Sequence, residues 1–283
     1  MKISSKIKLN ILNKSFLIII ALIISSCSNL LTTKEPIITN EINQLEEVIK
    51  SYNKLLLKDT KNEKLIFDRG IAQYEYGDYQ GAIKDFDKAF QISNDLTILY
   101  SRAISKFEYG DYQGAIDDYK KLLRIKDLRK EIYLDIGLIN FYSFNYQNAL
   151  LNFNKVIEEE KFDYKNFLYR GDTNFNLRNY EASQKDYDRS IELFNKNYLS
   201  HNNRGVNNYK IGNFKNSLRD FNKSLKLNPN NYNVHYNRAK TYNKLNLNKK
   251  ACIDLKKSIK LGKDVFKEEF YSICNKDLKA NIN

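Results

Sequence analysis

Histidine and cysteine, the residues that most often carry nucleophilic or metal chemistry, are scarce in this 283-residue chain, which has two histidines and three cysteines. His201 and His235 lie 34 residues apart, and neither falls in a metal-ligand motif. The sequence also lacks a phosphate-binding glycine loop, a nucleophile elbow and a zinc-protease motif. We therefore predict no catalytic residues, no metal and no cofactor, and we interpret both histidines as packing residues between helices.

The three cysteines lie in two different settings. Cys252 and Cys274 fall in predicted helices near the C-terminus, and they could form a disulfide in an oxidising compartment or remain two buried thiols. Cys27 follows four lysines, no acids and the apolar run from Phe16 to Ile24. Nine helical residues rise only ~14 Å, about half of a bilayer core. The run therefore predicts the apolar part of a signal peptide rather than a membrane span.

The residues before Cys27 resemble the lipobox of bacterial lipoproteins. A branched apolar residue, Ile24, is followed by two serines and the cysteine. The resemblance implies a signal peptide over residues 1–26, cleavage before Cys27 and lipidation of its thiol; an ordinary signal peptide is the alternative. Ser28 then favours an outer membrane, with the chain facing the periplasm, over the inner membrane. We interpret residues 27–40, which contain Pro36 and no helical period, as the lipidated cysteine and a flexible tether.

A repeat of 33 to 34 residues dominates the rest of the sequence. The nine-residue segment EYGDYQGAI occurs at residues 75–83 and again at 108–116. Small residues recur at two equivalent positions: Gly70, Ala103, Gly137, Gly171, Gly205 and Ala239, and Ala82, Ala115, Ala149, Ser183, Ser217 and Ala251. Large residues recur at a third: Phe86, Tyr119, Phe153, Tyr187, Phe221 and Leu255. We expect the small residues to let two helices approach closely and the large ones to fill the space between them.

This pattern resembles the tetratricopeptide repeat, a pair of antiparallel helices per unit. The resemblance implies an all-α fold, a right-handed α-solenoid of six helix pairs over residues 63–262. Residues 41–62 match half a repeat and predict an N-terminal capping helix. Residues 263–283, apolar at Val265, Phe266, Phe270 and Ile273, predict a C-terminal capping helix and tail.

In this repeat family the first helix of each pair lines a concave groove, which is where we expect a partner to bind. The groove could take an amphipathic helix or an extended peptide, and core packing is the alternative role for each aromatic residue. The candidate groove residues are Phe67, Tyr74, Tyr100, Phe107, Phe141, Tyr169, Phe175, Asn203, Tyr209, Tyr236, Asn237 and Lys240.

The formal charge of +13 is distributed unevenly along the chain. Residues 27–162 carry a net −3, and residues 163–283 carry a net +12.

The leading interpretation is a membrane-anchored adaptor, not an enzyme, that binds another cell-envelope protein in its groove. The alternative is a surface-binding module whose basic C-terminal repeats bind acidic glycan, anionic lipid or an acidic protein. We expect no nucleic acid partner, because a lipid anchor holds the chain outside the cytoplasm.

Overall fold

The computed structural model describes residues 35–125, 128–262 and 272–274, with only the backbone for residues 35–42. Contacts separate the chain into unit 1, residues 1–139, and unit 2, residues 140–283. The predicted signal peptide and Cys27 lie outside the described residues. Within those residues, no helix is both long and apolar enough to cross a bilayer.

Every regular element in the described chain is an α-helix. The helices are α1 (Glu35–Leu56), α2 (Glu63–Tyr76), α3 (Tyr79–Ser93), α4 (Leu96–Tyr109), α5 (Tyr112–Leu122), α6 (Arg129–Tyr142), α7 (Tyr146–Glu159), α8 (Tyr164–Asn176), α9 (Tyr180–Leu193), α10 (Tyr198–Lys210), α11 (Phe214–Leu227), α12 (Tyr232–Lys244) and α13 (Asn248–Lys260). In unit 1, α2 packs on α3 and α4 on α5; in unit 2, α8 packs on α9, α10 on α11 and α12 on α13. The predicted all-α fold of consecutive helix pairs is confirmed.

Short turns with a left-handed residue join the two helices of each pair. Gly77, Gly110 and Gly212 have φ of 93°, 92° and 80°. The other three pairs use non-glycine residues at the same position: Phe144, Arg178 and Asn246, with φ of 61°, 63° and 58°. Glycine adopts this backbone without steric cost, whereas a side chain there is strained. The turn is therefore kept in all six pairs even where the sequence does not favour it.

A large aromatic ring packs directly against the glycines of the first helices and leaves no space for a side chain there. A Cβ at Gly70 would lie 2.7 Å from the ring of Phe86, and at Gly171 the same distance from the ring of Tyr187. Contacts this short are not tolerated, so the glycine lets the ring enter the space between the paired helices. The small and aromatic positions of the repeat are thus two sides of one packing contact.

Helix α1 begins at Glu35, six residues before the predicted capping helix and inside the segment interpreted as a tether. Pro36 occupies the first turn, where a missing backbone N–H breaks no helical hydrogen bond. Leu56, near the end of α1, is buried in a cluster with Ile66 and Phe86. At the other end, Ile273 is buried against Ala251 and Leu255. Apart from residues 272–274, the predicted C-terminal cap lies outside the described residues.

Candidate functional site

Five of the six helix pairs carry a half-buried aromatic ring at the same position of the first helix. Each ring contacts the aromatic residue that opens the second helix of its own pair, with centroids 5.5 to 5.8 Å apart. The pairs are Tyr74–Tyr79, Phe107–Tyr112, Phe141–Tyr146, Phe175–Tyr180 and Tyr209–Phe214. This contact holds the rings on the surface of the first helices, and in each unit some of them line a pocket.

The unit 1 pocket contains an acidic residue bonded to tyrosine. The hydroxyl of Tyr100 donates to Oδ2 of Asp135 at 2.9 Å, and Tyr119 is a second donor. Burial raises the pKa of Asp135 to about 7, although the two hydrogen bonds oppose the rise. The pocket has a volume of about 30 Å³, and Phe107 and Glu108 also line it. Burial raises the pKa of Glu108 as well. The space holds only a few water molecules.

The unit 2 pocket is larger and also contains an acidic residue. Oδ1 of Asp172 accepts hydrogen bonds from the Tyr187 hydroxyl and from Nδ2 of Asn203, each at 2.8 Å. Burial raises the pKa of Asp172 to about 6. The pocket has a volume of about 190 Å³. Its remaining walls are Phe141, Phe175, Asn176 and Val206. An enclosed space of about 150 Å³ admits a benzene ring, so this pocket has room for one side chain.

Amide side chains extend the unit 2 pocket toward the C-terminal repeats. Oδ1 of Asn203 accepts from Nδ2 of Asn202 at 2.9 Å, and Oδ1 of Asn202 accepts from Nδ2 of Asn237 at 3.3 Å. On the same helix as Asn237, the Lys240 ammonium lies 5.3 Å from the centre of the Tyr236 ring. Among the predicted groove residues, the structure thus links Asn203 with Asn237, and Tyr236 with Lys240.

Sequence comparison recognises part of this repeat. A tetratricopeptide-repeat family model matches residues 198–231, and a second such model matches residues 221–253. No curated protein matches the sequence. The second match spans α12 and the turn to α13, so it falls on a helix pair of the kind described above.

Solved structures resemble a much larger part of the chain. A tetratricopeptide repeat protein from Parabacteroides merdae ATCC 43184 is 22% identical with a TM-score of 0.61, and the match covers 85% of this chain and 93% of that one. The C-terminal part of a TPR repeat-containing protein from Cytophaga hutchinsonii is 20% identical with a TM-score of 0.64, covering 78% and 91%. MamA from Desulfovibrio magneticus RS-1, from residue 41 to its end, is 19% identical with a TM-score of 0.54, covering 58% and 94%.

Residues 198–253 match tetratricopeptide-repeat models, and the chain has the fold of solved tetratricopeptide-repeat proteins. At these identities the likeness to solved structures shows the fold alone. Tetratricopeptide-repeat proteins are generally non-enzymatic scaffolds, so the fold supports a protein–protein interaction scaffold. Within the described residues, no group of three or more His, Cys, Asp and Glu side chains could hold a metal ion.

Three of the predicted groove residues contact the aromatic residues of the repeat core. Phe67 lies 5.5 Å from Phe86, Tyr100 lies 5.6 Å from Tyr119, and Tyr169 stacks on Phe153 at 5.8 Å, measured between ring centres. Tyr100 is only 9% exposed, and its hydroxyl donates a hydrogen bond to Asp135 of the unit 1 pocket.

A repeated set of arginine–aspartate pairs, here called the Arg–Asp ladder, was not predicted from the sequence. In five of the six repeats an arginine on the first helix donates to an aspartate on the second helix, 16 residues later, with shortest N–O distances of 2.6 to 2.7 Å. The pairs are Arg69–Asp85, Arg102–Asp118, Arg170–Asp186, Arg204–Asp220 and Arg238–Asp254. The third repeat has Ile136 and Asn152 at these positions. The constant spacing of 16 was the available signal.

The same arginines also connect successive repeats. Nη1 of each arginine donates to an Asn or Asp oxygen on the helix that precedes its own in the chain, at 2.6 to 3.0 Å. The acceptors are Asn53, Asp87, Asn154, Asp188 and Asn222. Because each guanidinium bonds two helices besides its own, the Arg–Asp ladder fixes the repeats against one another within each unit.

The two C-terminal cysteines and the two histidines all contact other residues of the fold. Cys252 and Cys274 form a disulfide with Cα atoms 5.6 Å apart, which joins α13 to the segment that follows it. Nδ1 of His235 lies 3.0 Å from Oδ1 of Asp254, and Nε2 lies 3.0 Å from the Pro229 carbonyl. Nε2 of His201 lies 3.0 Å from the Asn195 carbonyl. Both histidines thus contact neighbouring helix and turn residues.

Proposed function

We propose that the protein is a lipid-anchored adaptor of the bacterial cell envelope. Its repeats bind a segment of another envelope protein at the first-helix face. The observation that carries the proposal is the unit 2 pocket, which opens between aromatic residues and has room for a side chain from outside. A surface that exposes aromatic and polar groups side by side is typical of protein-binding sites.

The anchor comes from the sequence before the described residues. The basic start, the apolar run and the lipobox-like residues support lipidation of Cys27. Such an anchor keeps the repeats beside a membrane and restricts the partner to proteins that reach the same surface. We place the protein in the outer membrane, facing the periplasm.

The proposal is tested by crosslinking living cells and identifying proteins that co-purify with a tagged full-length chain. One envelope protein should be enriched. It should be lost with Cys27→Ala, which removes the anchor, and with Phe141→Ser combined with Phe175→Ser, which removes two pocket walls. The matched control is Phe162→Ser, because Phe162 is 74% exposed in a loop away from the pocket. Helical circular dichroism must survive in the pocket variant; enrichment of the same protein by every variant would overturn the proposal.

A second function is favoured by one surface. Four of the exposed lysines of helix α13 form this surface within a chain segment of net charge +12: Lys249, Lys250, Lys256 and Lys257. Such a cluster attracts acidic glycan, anionic lipid or an acidic protein, and salt weakens the attraction. Replacing all four with glutamine should abolish salt-sensitive retention on anionic vesicles, and unchanged retention would exclude this function.

A further inference from the structure

Asp172 is half-buried, and it differs from the buried aspartates of unit 2 because it has no cationic partner. Asp186, Asp220 and Asp254 each pair with an arginine. Asp172 takes part in none of the ion pairs found in the described part of the chain. Among the residues described there, its carboxylate accepts hydrogen bonds from a tyrosine hydroxyl and a side-chain amide. These donors are neutral, so the carboxylate charge is stabilised by hydrogen bonding but not neutralised.

One oxygen of the Asp172 carboxylate remains available. Both donors bond Oδ1, and Oδ2 has no donor among the described residues. Oδ2 is also absent from the fully enclosed, unsatisfied atoms, so it retains access to solvent. Because Asp172 lines the unit 2 pocket, this oxygen is available to a group that enters the pocket.

Asparagine at this position would keep the observed hydrogen bonds without the charge. An amide oxygen could accept from Tyr187 and Asn203 just as Oδ1 does. A buried charge without a cation lowers stability, and residues that lower stability in this way are concentrated at binding and active sites. The hydrogen bonds do not require the negative charge of Asp172, so we infer that the charge serves binding.

The walls of the pocket suit a long basic side chain. Phe141, Phe175 and Val206 offer apolar surface to an alkyl stem, and aromatic faces attract ammonium and guanidinium groups. The volume of about 190 Å³ matches one side chain and is smaller than the ~300 Å³ at which pockets for drug-sized ligands begin.

We propose that the unit 2 pocket binds one lysine or arginine side chain of a partner protein, with its cationic group on Oδ2 of Asp172. The inference rests on the proposed function, since it names the side chain by which the partner is held. Residues 163–283 carry a net +12, so the rest of the bound segment should be neutral or acidic. A single basic residue in such a segment would set its register on the repeats.

The test uses the full chain in detergent micelles, with ¹³C-labelled aspartate and N-acetyl-arginine amide as the probe. The Asp172 carboxyl resonance is assigned by its loss in Asp172→Asn. In saturating probe, the apparent pKa of Asp172 should fall by about one pH unit or more, because an opposite charge within ~4–6 Å favours the ionised form. N-acetyl-citrulline amide, which has nearly the same shape without the charge, should leave it unchanged.

A matched variant separates the two pockets. Asp135→Asn makes the same change in the small unit 1 pocket, and the response of Asp172 to the arginine probe should survive it. In Asp172→Asn, backbone amide shifts of Asn203 and Val206 should no longer respond to the probe, while circular dichroism stays helical.

Two results would overturn the inference. One is an Asp172 pKa unchanged by the arginine probe at 100-fold the concentration of the chain and above; the other is an equal response to the citrulline probe. Neither result affects the crosslinking experiment in cells, where a partner lost with the phenylalanine changes but retained by Asp172→Asn would support the adaptor function without this pocket chemistry.

Discussion

Two regions of the molecule bury aspartate in opposite ways. In the Arg–Asp ladder, burial alone would raise the pKa of Asp118, Asp220 and Asp254, but hydrogen bonds and charge from their partners outweigh burial and hold each pKa below its usual value. In the two pockets, Asp135 and Asp172 have neutral donors, and burial raises their pKa values. The ladder acids stabilise the repeats, whereas the ionised pocket acids oppose stability and remain open to another role.

The two pockets also differ from each other. In both, a tyrosine in the large-residue column donates to an aspartate on a first helix. The unit 1 pocket is nearly filled, at about 30 Å³, and its acid is enclosed by two tyrosines. The unit 2 pocket has about 190 Å³ and an available carboxylate oxygen. The same pair of a column tyrosine and an aspartate thus lies beside a nearly filled space in one unit and beside an open pocket in the other.

The largest expected effect comes from one substitution made in both regions. Asp186→Asn should lower the free energy of unfolding by about 3 kcal/mol, because Arg170 and Asn174 would then face an amide instead of a carboxylate. Asp172→Asn should leave stability unchanged or raise it, since Oδ1 keeps both hydrogen bonds. The measurement is denaturant unfolding at pH 7.5, followed by circular dichroism.

Equal losses from the two asparagine variants would contradict the comparison, because both acids would then be structural. Asp220→Asn is a second ladder variant and should behave like Asp186→Asn, since Arg204 and Asn208 bond Asp220 in the equivalent way.

The pH dependence should separate the regions next. Because the folded pKa values of Asp172 and Asp135 are raised to about 6 and about 7, the native state binds extra protons above pH ~4. Stability should therefore fall as pH rises from about 4 to about 7 and then level off. Asp172→Asn should remove the part of this fall that ends near pH 6, and Asp135→Asn the part that ends near pH 7.

Three ladder acids, Asp118, Asp220 and Asp254, should act in the opposite direction and at lower pH. Their folded pKa values are lowered, so their stabilisation is present above the usual aspartate pKa of about 4 and is lost as pH falls below it. Unfolding measured from pH 2.5 to 8 tests both signs. A stability curve that rises from pH 4 to 7, and is unchanged in both pocket variants, would contradict the assignment of the raised pKa values.

Space in the pockets supplies the third prediction. Ile104 and Val206 occupy the same repeat position and line the unit 1 and unit 2 pockets. Ile104→Phe should overfill unit 1 and cost about 2 kcal/mol. Val206→Phe should cost less than about 1 kcal/mol, because the larger pocket has room for the ring. Thermal unfolding compares the two variants, and a larger loss from Val206→Phe would show that the unit 2 pocket is not available space.

Much of the fold could be predicted from the repeat, because close helix packing restricts residue size at fixed positions. Glycine and the ring against it, as in Gly70 and Phe86, leave a periodic signal that one sequence reveals. The left-handed turns at Phe144 and Arg178 were less evident, because those residues do not favour the conformation that the neighbouring repeats impose.

The pockets could not be predicted in the same way because they depend on departures from the repeat. The column that holds phenylalanine in three repeats holds Tyr119 and Tyr187 in two others, and each buried hydroxyl needs an acceptor. Asp135 and Asp172 supply the acceptor from two different repeat positions. Asp135 lies on the repeat that follows the repeat of Tyr119, whereas Asp172 lies on the same repeat as Tyr187. The two tyrosines were the available signal. The acids alone do not mark the pockets, because Asp68 holds the repeat position of Asp135 in a repeat with phenylalanine.

The smallest expected effect comes from removing these hydroxyls. Tyr187→Phe should cost about 1 kcal/mol or less, because phenylalanine already fills this column elsewhere and water can reach the carboxylate from the open pocket. Tyr119→Phe should cost more, since its nearly filled pocket admits few waters. Tyr187→Phe should also raise the pKa of Asp172 above about 6, because the lost hydrogen bond favoured the ionised form. A carboxyl titration that does not move would mean that Tyr187 does not hold the charge, and the contrast between ladder and pocket would then rest on burial alone.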